Sequence, residues 1–308
     1  MARPFRGGGL ILQAIAELDR WLSRQNPAYR PVSQLKTLLP TDILWAAFYE
    51  GDTMINNYHT HTYRCLHAEG TEDEYAKVAF EKGLKVLGFS DHTPHFFPGD
   101  YYSYMRMRPE ELDGYCKGVN ALRQAYAGQM EIHLGLEVEY YPECIPQLLP
   151  VLQDAGIEYL ILGQHWVGNE YDAPNCGRKT ESVELLKRYC DQCIEAMHTG
   201  IFSYFAHPEL IKFLIDKDLL LKHLEPLCQA SIDTDTPLEI NLLGIDQGRH
   251  YPVEEFWQLA GQYGCTVILG SDAHAPDEVV RPEAEAVAME YVQKYNLNLI
   301  ETLPFKKF

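Results

Sequence analysis

Short apolar runs recur along this chain, and six of them lead into histidine or acidic residues, always at the C-terminal end. Ile55 to Tyr58 runs into His59-Thr60-His61-Thr62, with His67 six positions beyond His61. Val86 to Ser90 runs into Asp91-His92, and Glu131 to Val138 carries Glu137 near its end. Tyr159 to Gly163 leads to Gln164-His165-Trp166, Ser203 to Ala206 to His207-Pro208, and Thr266 to Leu269 to Gly270-Ser271-Asp272-Ala273-His274. Strands alternating with helices at this spacing form a parallel sheet. An open doubly wound sheet gathers its polar residues at one switch point, whereas a barrel collects them from the C-terminal ends of all its strands. The expectation is an α/β fold, a TIM-like barrel with its site at the C-terminal ends of the strands.

The segments between the runs read as helices. Thr71-Glu72-Asp73-Glu74 is a capping-box pattern that opens a helix to about Lys82, with Gly83 as its stop. Helices are also expected over Pro109 to Tyr126, Cys144 to Ala155, Glu181 to Met197, Leu219 to Ala230, Val253 to Tyr263 and Pro282 to Tyr295. Leu297 to Leu299 is a last short strand. No glycine-rich phosphate loop follows the first strand.

His59 and His61 project to one face of an extended strand and can chelate a single ion there. Seven of the twelve histidines fall at these motif positions, together with Asp91, Glu137 and Asp272. Imidazole mixed with carboxylate suits zinc, manganese or iron. At about four to six ligands per ion the set is too large for one, so two to three divalent ions are expected. A carboxylate such as Glu137 can bridge two of them through its two oxygens. Ions about 3.5–4 Å apart activate a bound water and clamp phosphoryl oxygens, which is hydrolysis without a protein nucleophile.

The balance of 44 acidic against 26 basic residues, a formal net charge of -18, argues against a nucleic-acid partner. It is compatible with a small phosphorylated substrate, because bound cations reverse the local sign of a site. The eight cysteines form no paired framework, and Cys190 and Cys193 fall within an expected helix, so free thiols in a reducing cytoplasm are expected. No apolar run reaches the ~18 residues of a membrane span, and the N-terminus has no signal-peptide pattern.

Taken in order, the six motifs at 59–62, 90–92, 135–139, 163–166, 206–208 and 270–274 resemble the PHP (polymerase and histidinol phosphatase) family, over roughly residues 54 to 300. That resemblance implies a distorted (β/α)7 barrel with a trinuclear metal site. It implies one ion on His59, His61, Glu137 and Asp272, a second on Glu137, His165 and His207, and a third on His67, His92 and His274. Arg106-Met107, Pro109-Glu110-Glu111-Leu112 with Tyr115, and Leu238-Glu239-Ile240-Asn241 resemble the histidinol-phosphatase branch. The implied activity is hydrolysis of L-histidinol phosphate in histidine biosynthesis. The chain departs from that branch at Gly163-Gln164-His165, where Gly-Ser-x-His is common, and at Leu242-Leu243, where Thr-Ser is. Two other readings stand beside it: a phosphatase for another small phosphomonoester, and a non-catalytic metal-binding module that regulates a partner.

Arg178, in the loop after His165, and Arg249, in the loop after Asn241, are candidates to hold the phosphate, as is Arg106. Asp91 is a candidate to orient a ligand imidazole and His95 to act as an acid near the leaving group. His133 reads as interior packing, and His198, His223 and His250 are unassigned. Phe96, Phe97, Tyr101, Tyr102 and Tyr104 suggest a flap over the site.

Residues 1–53 contribute none of these motifs. Helical patterns at 11–22 and 41–49 follow a Gly-rich start, and Met54 stands directly before the first strand, where a chain of this family commonly begins. The segment is expected to be a partly helical appendage, an upstream extension of the reading frame, to a barrel domain at 54–308. A chain beginning at Met54 is therefore expected to fold, bind metal and keep its activity, as checked by circular dichroism and elemental analysis. Insolubility or metal loss confined to the shortened chain would make the segment part of the fold.

Overall fold

A computed structural model describes residues 54–308; the helices expected at 11–22 and 41–49 lie outside the described residues. Eight parallel strands follow one another in space as in sequence. They are β1 (Asn56–Asn57), β2 (Val86–Phe89), β3 (Glu131–Val138), β4 (Tyr159–Leu162), β5 (Tyr204–Phe205), β6 (Leu238–Asn241), β7 (Thr266–Gly270) and β8 (Asn298–Leu299). Every apolar run described above supplies one of them.

The curl closes differently at its two ends. At the N-terminal end β8 pairs with the start of β7, Thr266 with Asn298 and Val267 with Leu299. At the C-terminal end the chain beyond β1 meets the chain beyond β7 directly. Thr60 bridges Ala273 in parallel, His61 N donates to Ala273 O at 2.9 Å, and Ala273 N donates to His59 O at 3.2 Å. Asn57 braces this seam, since its Oδ1 accepts from both His59 N at 3.1 Å and Ser271 N at 3.2 Å. Seven strands thus meet around the functional end, and the eighth is a wedge at the other. This is the distorted TIM-like architecture expected.

The strands bury both faces. Tyr58, Val86, Tyr159, Ile161, Tyr204, Ala206 and Ile268 fill the barrel interior, and the C-terminal segment adds Leu303 and Phe305 as its floor. Phe305 stacks on Tyr159 with ring centroids 4.8 Å apart and planes 17° from parallel. A larger core lies outside the strands, under the helices.

The helices are α1 (Glu72–Lys82), α2 (Leu112–Ala125), α3 (Ile145–Asp154), α4 (Val183–His198), α5 (Lys217–Thr234), α6 (Leu242–Asp246), α7 (Glu254–Tyr263) and α8 (Pro282–Tyr295). The capping box of α1 is formed on both sides, Thr71 N donating to Glu74 Oε2 at 2.8 Å and Glu74 N to Thr71 Oγ1 at 3.4 Å. The one-turn α6 was not expected; Asn241 at the end of β6 starts it by accepting from Gly244 N at 2.9 Å. All eight cysteines are free. Among the described residues no helix is long and apolar enough to cross a membrane.

The floor is a testable part of the fold. Leu303→Ala empties an interior position of which only 4% is exposed, and is expected to lower the unfolding free energy by about 2–5 kcal/mol in denaturant titration. An unchanged midpoint would show that the segment does not seal the barrel.

Candidate metal centre

Glu137 is the junction of the site. It stands near the end of β3, 1% exposed, and its two oxygens face different imidazoles. Oε1 lies 3.0 Å from His207 Nε2 and 3.8 Å from His165 Nε2. Oε2 lies 3.3 Å from His61 Nε2, 3.5 Å from His59 Nε2 and 3.2 Å from His92 Nδ1. Asp272 Oδ1 lies 3.3 Å from His61 Nε2 and 3.5 Å from both His59 Nε2 and His274 Nδ1. His274 Nε2 is 3.1 Å from His67 Nε2.

These separations fit ligands of shared ions. Donors about 2.0–2.1 Å from a common tetrahedral centre stand about 3.3–3.4 Å from one another, which is the spacing of His59, His61, Glu137 and Asp272. His59 Nε2, His61 Nε2 and His92 Nδ1 are also buried with no hydrogen-bond partner. A buried polar atom without a partner is costly, and several converging on two carboxylates suit a cation.

Room for the two key carboxylates comes from glycines. A methyl group on Gly163, at the end of β4, would coincide with Glu137 Oε1, and one on Gly270, at the end of β7, would coincide with Glu239 Oε1. Two candidate ligands, His207 at φ 35° and Asp272 at φ 49°, sit in the left-handed region that side chains other than glycine rarely adopt. Such strain gathers at functional positions because the surroundings over-determine it.

The far nitrogens of four of the rings are held as well. Glu239 Oε1 is 2.6 Å from His59 Nδ1 and Glu139 Oε1 is 2.9 Å from His165 Nδ1. His67 Nδ1 is 2.8 Å from Cys65 O and His274 Nδ1 is 3.0 Å from Asp272 O. Each contact engages Nδ1 and leaves Nε2 to face the centre. Burial, with the neighbouring His274, pushes His61 down to about 3 and His67 down to about 4. Burial opposes ionisation of Glu137 and Asp272, yet the surrounding histidines hold both well below the usual carboxylate range. Neutral imidazoles and ionised carboxylates are the protonation states that bind metal.

A family model for the PHP domain matches residues 57–264. This chain belongs to the PHP family. It is 32% identical over 239 residues, 74% of this chain and 90% of the relative, to a Deinococcus radiodurans protein named "Probable histidinol-phosphatase". It is 23% identical over 251 residues to the Bacillus subtilis "Histidinol-phosphatase", covering 72% of this chain and 94% of that one. The solved histidinol phosphate phosphatase of Lactococcus lactis, in complex with zinc, L-histidinol and phosphate, superposes with a TM-score of 0.65. That match covers 82% of this chain and all of the other at 17% identity, and it shows a shared fold.

Beside the PHP centre lies a cleft of about 550 Å³, lined by His67, His92, Glu137, His165, His207, Asp272 and His274 and, further out, by Arg178 and Arg249. The structure therefore brings all nine expected ligands into one region and two of the three expected arginines to its mouth. Asp91 is more remote than expected. It accepts from Thr62 N at 2.9 Å and Thr62 Oγ1 at 2.6 Å, and it stands 4.0 Å from His61 Nδ1. It pins the backbone just past His61 and makes no hydrogen bond to the ring.

Three expectations are corrected. Arg106 does not reach the cleft: it is 2% exposed, and its guanidinium is enclosed by Glu139, Glu170 and the carbonyl of Thr93. His95 is buried against Tyr141 and Phe97, with ring centroids 4.9 and 5.5 Å away. Burial and the adjacent Arg106 push it down to about 3, so near neutral pH the ring is uncharged and poorly suited to act as an acid. None of Phe96, Phe97, Tyr101, Tyr102 or Tyr104 lines the cleft, so the expected flap does not cover it; Phe97, Tyr101 and Tyr171 pack on one another instead. The departure at Gln164 is a brace, its Oε1 accepting from Tyr140 N at 3.0 Å.

The sequence assigns no role to Glu139, Glu239, Lys212 or His250, although the first two stand within its motifs. Glu139 had a signal, because residues two apart on a strand share a face and Glu137 was already assigned. Lys212 and His250 line the cleft from loops, where no spacing rule applies.

The bridge is testable by metal content. Glu137→Gln is expected to lower occupancy at two positions together, and Gly163→Ala, which leaves the carboxylate in place chemically, is expected to do the same by displacing it. Elemental analysis showing parental metal in both variants would refute the shared-carboxylate geometry.

Proposed function

We propose that this PHP protein is a metal-dependent phosphomonoesterase that hydrolyses L-histidinol phosphate to L-histidinol and phosphate. It would use two to three divalent ions, zinc, manganese or iron. The observation that carries the reading is the divided Glu137, with His165 and His207 at one oxygen and His59, His61 and His92 at the other. The mouth of the cleft supports it. In a chain of net charge -18, Arg178, Lys212 and Arg249 gather there, and none has a carboxylate within 4.0 Å among the described residues. The naming of the Deinococcus and Bacillus relatives supports the same substrate, as does the ligand of the Lactococcus protein.

When bound, the ions supply Lewis acidity toward phosphoryl oxygens and activate water. The chain supplies orientation. Glu239 and Glu139 fix the rings of His59 and His165, and Gly163 and Gly270 leave space for the carboxylates. The fork of Arg178 matches two phosphate oxygens. Arg249 is pre-set for the same task, with Nη1 donating to Tyr251 Oη at 2.7 Å and Nε to Gln247 Oε1 at 3.0 Å. The eight free thiols suit the reducing cytoplasm in which we place the enzyme.

One observation favours a second phosphomonoester as substrate. Among the described residues the carboxylates lining the cleft are Glu137 and Asp272, both committed to the ions, so no further described acid there pairs with the amine of histidinol phosphate. A panel of phosphorylated metabolites, assayed with added zinc or manganese, decides between them. Histidinol phosphate is expected to be turned over fastest, chelators to abolish turnover, and oxygen from labelled water to appear in the phosphate. Arg178→Ala is expected to raise KM by about 10-fold or more. A trapped phosphoenzyme would overturn the mechanism, and no turnover of any phosphomonoester by metal-loaded protein would favour a binding module.

A further inference from the structure

We propose that Arg106 is a positioning residue for the metal centre, one that acts through Glu139 to hold His165 in its ligand orientation. The inference rests on the reading of His165 as a ligand. Glu139 is fully buried and uses both oxygens: Oε1 faces His165 Nδ1 at 2.9 Å, and Oε2 accepts from Arg106 Nη1 at 2.8 Å. The rest of the guanidinium is anchored elsewhere. Nη1 also donates to Thr93 O at 3.0 Å, Nε donates to Glu170 Oε2 at 2.9 Å, and Nη2 meets the same Glu170 oxygen. Tyr101 Oη donates to the second Glu170 oxygen at 3.0 Å.

One side chain therefore joins the loop after β2, the end of β3 and the loop after β4, and the chain of contacts ends on a ring that faces Glu137. Arg106 does not line the cleft, so its effect on substrate is indirect. The other buried carboxylate behind a ligand, Glu239, is held without a cation. It accepts from Asn241 Nδ2 at 2.9 Å and His207 N at 3.1 Å. Glu139 has Arg106 in place of such neutral donors. Without it a buried carboxylate loses its partner and its fixed rotamer together, and the Nδ1 contact that keeps His165 Nε2 turned inward loosens.

The test is metal retention, read apart from catalysis. Parent protein, Arg106→Lys, Arg106→Met, Glu139→Gln and Glu170→Gln are loaded with zinc, and the ions remaining after graded chelator are counted by elemental analysis. The two Arg106 variants and Glu139→Gln are expected to release one ion at about 10–100-fold lower chelator than the parent, the others being kept. Glu170→Gln, which leaves the Arg106–Glu139 pair, is expected to release its ions as the parent does. Arg106→Met or Arg106→Lys, folded by circular dichroism and with parental release of every ion, would overturn the proposal. Should neither fold, Glu139→Gln decides, and parental release from it is equally fatal. Parent protein that takes up less than one zinc would instead refute the metal centre itself.

Discussion

Glu137 occupies space that exists because residue 163 has no side chain. The strand ends of β3 and β4 are neighbours, and their inward positions compete for the same volume at the mouth of a barrel. One must be a hydrogen atom for the other to be a carboxylate. Gly270 stands in the same relation to Glu239. The two glycines decide where negative charge can sit, and the imidazoles of His59, His61, His92, His165 and His207 are arranged around that charge. A change of one carbon would displace Glu137 at the first position, or Glu239 at the second, before it touched any imidazole.

The charge so placed is expensive. Glu137, Glu139, Glu239 and Asp272 are all at most 4% exposed. Removing carboxylates from water costs several kcal/mol each unless a partner compensates. Arg106 compensates Glu139. Burial opposes protonation of His59, yet Glu239, Asp272 and Glu137 drive its pKa well above the ordinary value; the same opposition is overcome at His165 by Glu137 and Glu139. Those two rings are thus pulled toward the charged form by the acids that would otherwise hold them as ligands. Divalent ions bound there would resolve the conflict by taking both roles, neutralising the acids and accepting the ring lone pairs. The protein side of the site is best understood as half of an ion pair.

Much of this was legible in the sequence because strand chemistry is local. A short apolar run followed by His or Asp reports both a strand and which end of it carries function, and all nine expected ligands lie in one region for that reason. What was not legible depends on long-range pairing. Arg106 follows a loop rich in aromatic and polar residues and reads as a phosphate ligand. Its actual partners lie 33 and 64 residues away in Glu139 and Glu170, and no spacing rule predicts them. His95 fails for the same reason, since its neutrality comes from burial beside that arginine. The short helix α6 escaped notice because its start signal, Asn241, also ends a strand.

The seam of the barrel explains why candidate ligands from the two ends of the domain come within reach of one ion. His59 and His61 follow β1, whereas Asp272 and His274 follow β7, and a regular eight-stranded closure would put another strand between them. Here β8 is two residues long and, among the described residues, pairs with the start of β7 alone, so it ends before the functional rim. Above it Thr60 and Ala273 bridge directly, and Asn57 ties both chains with one amide oxygen. The distortion is therefore what brings His61 Nε2 within 3.3 Å of Asp272 Oδ1. Widening the floor with the eighth strand and the Leu303–Phe305 plug while pinching the rim turns the first and last motifs of the sequence into neighbours.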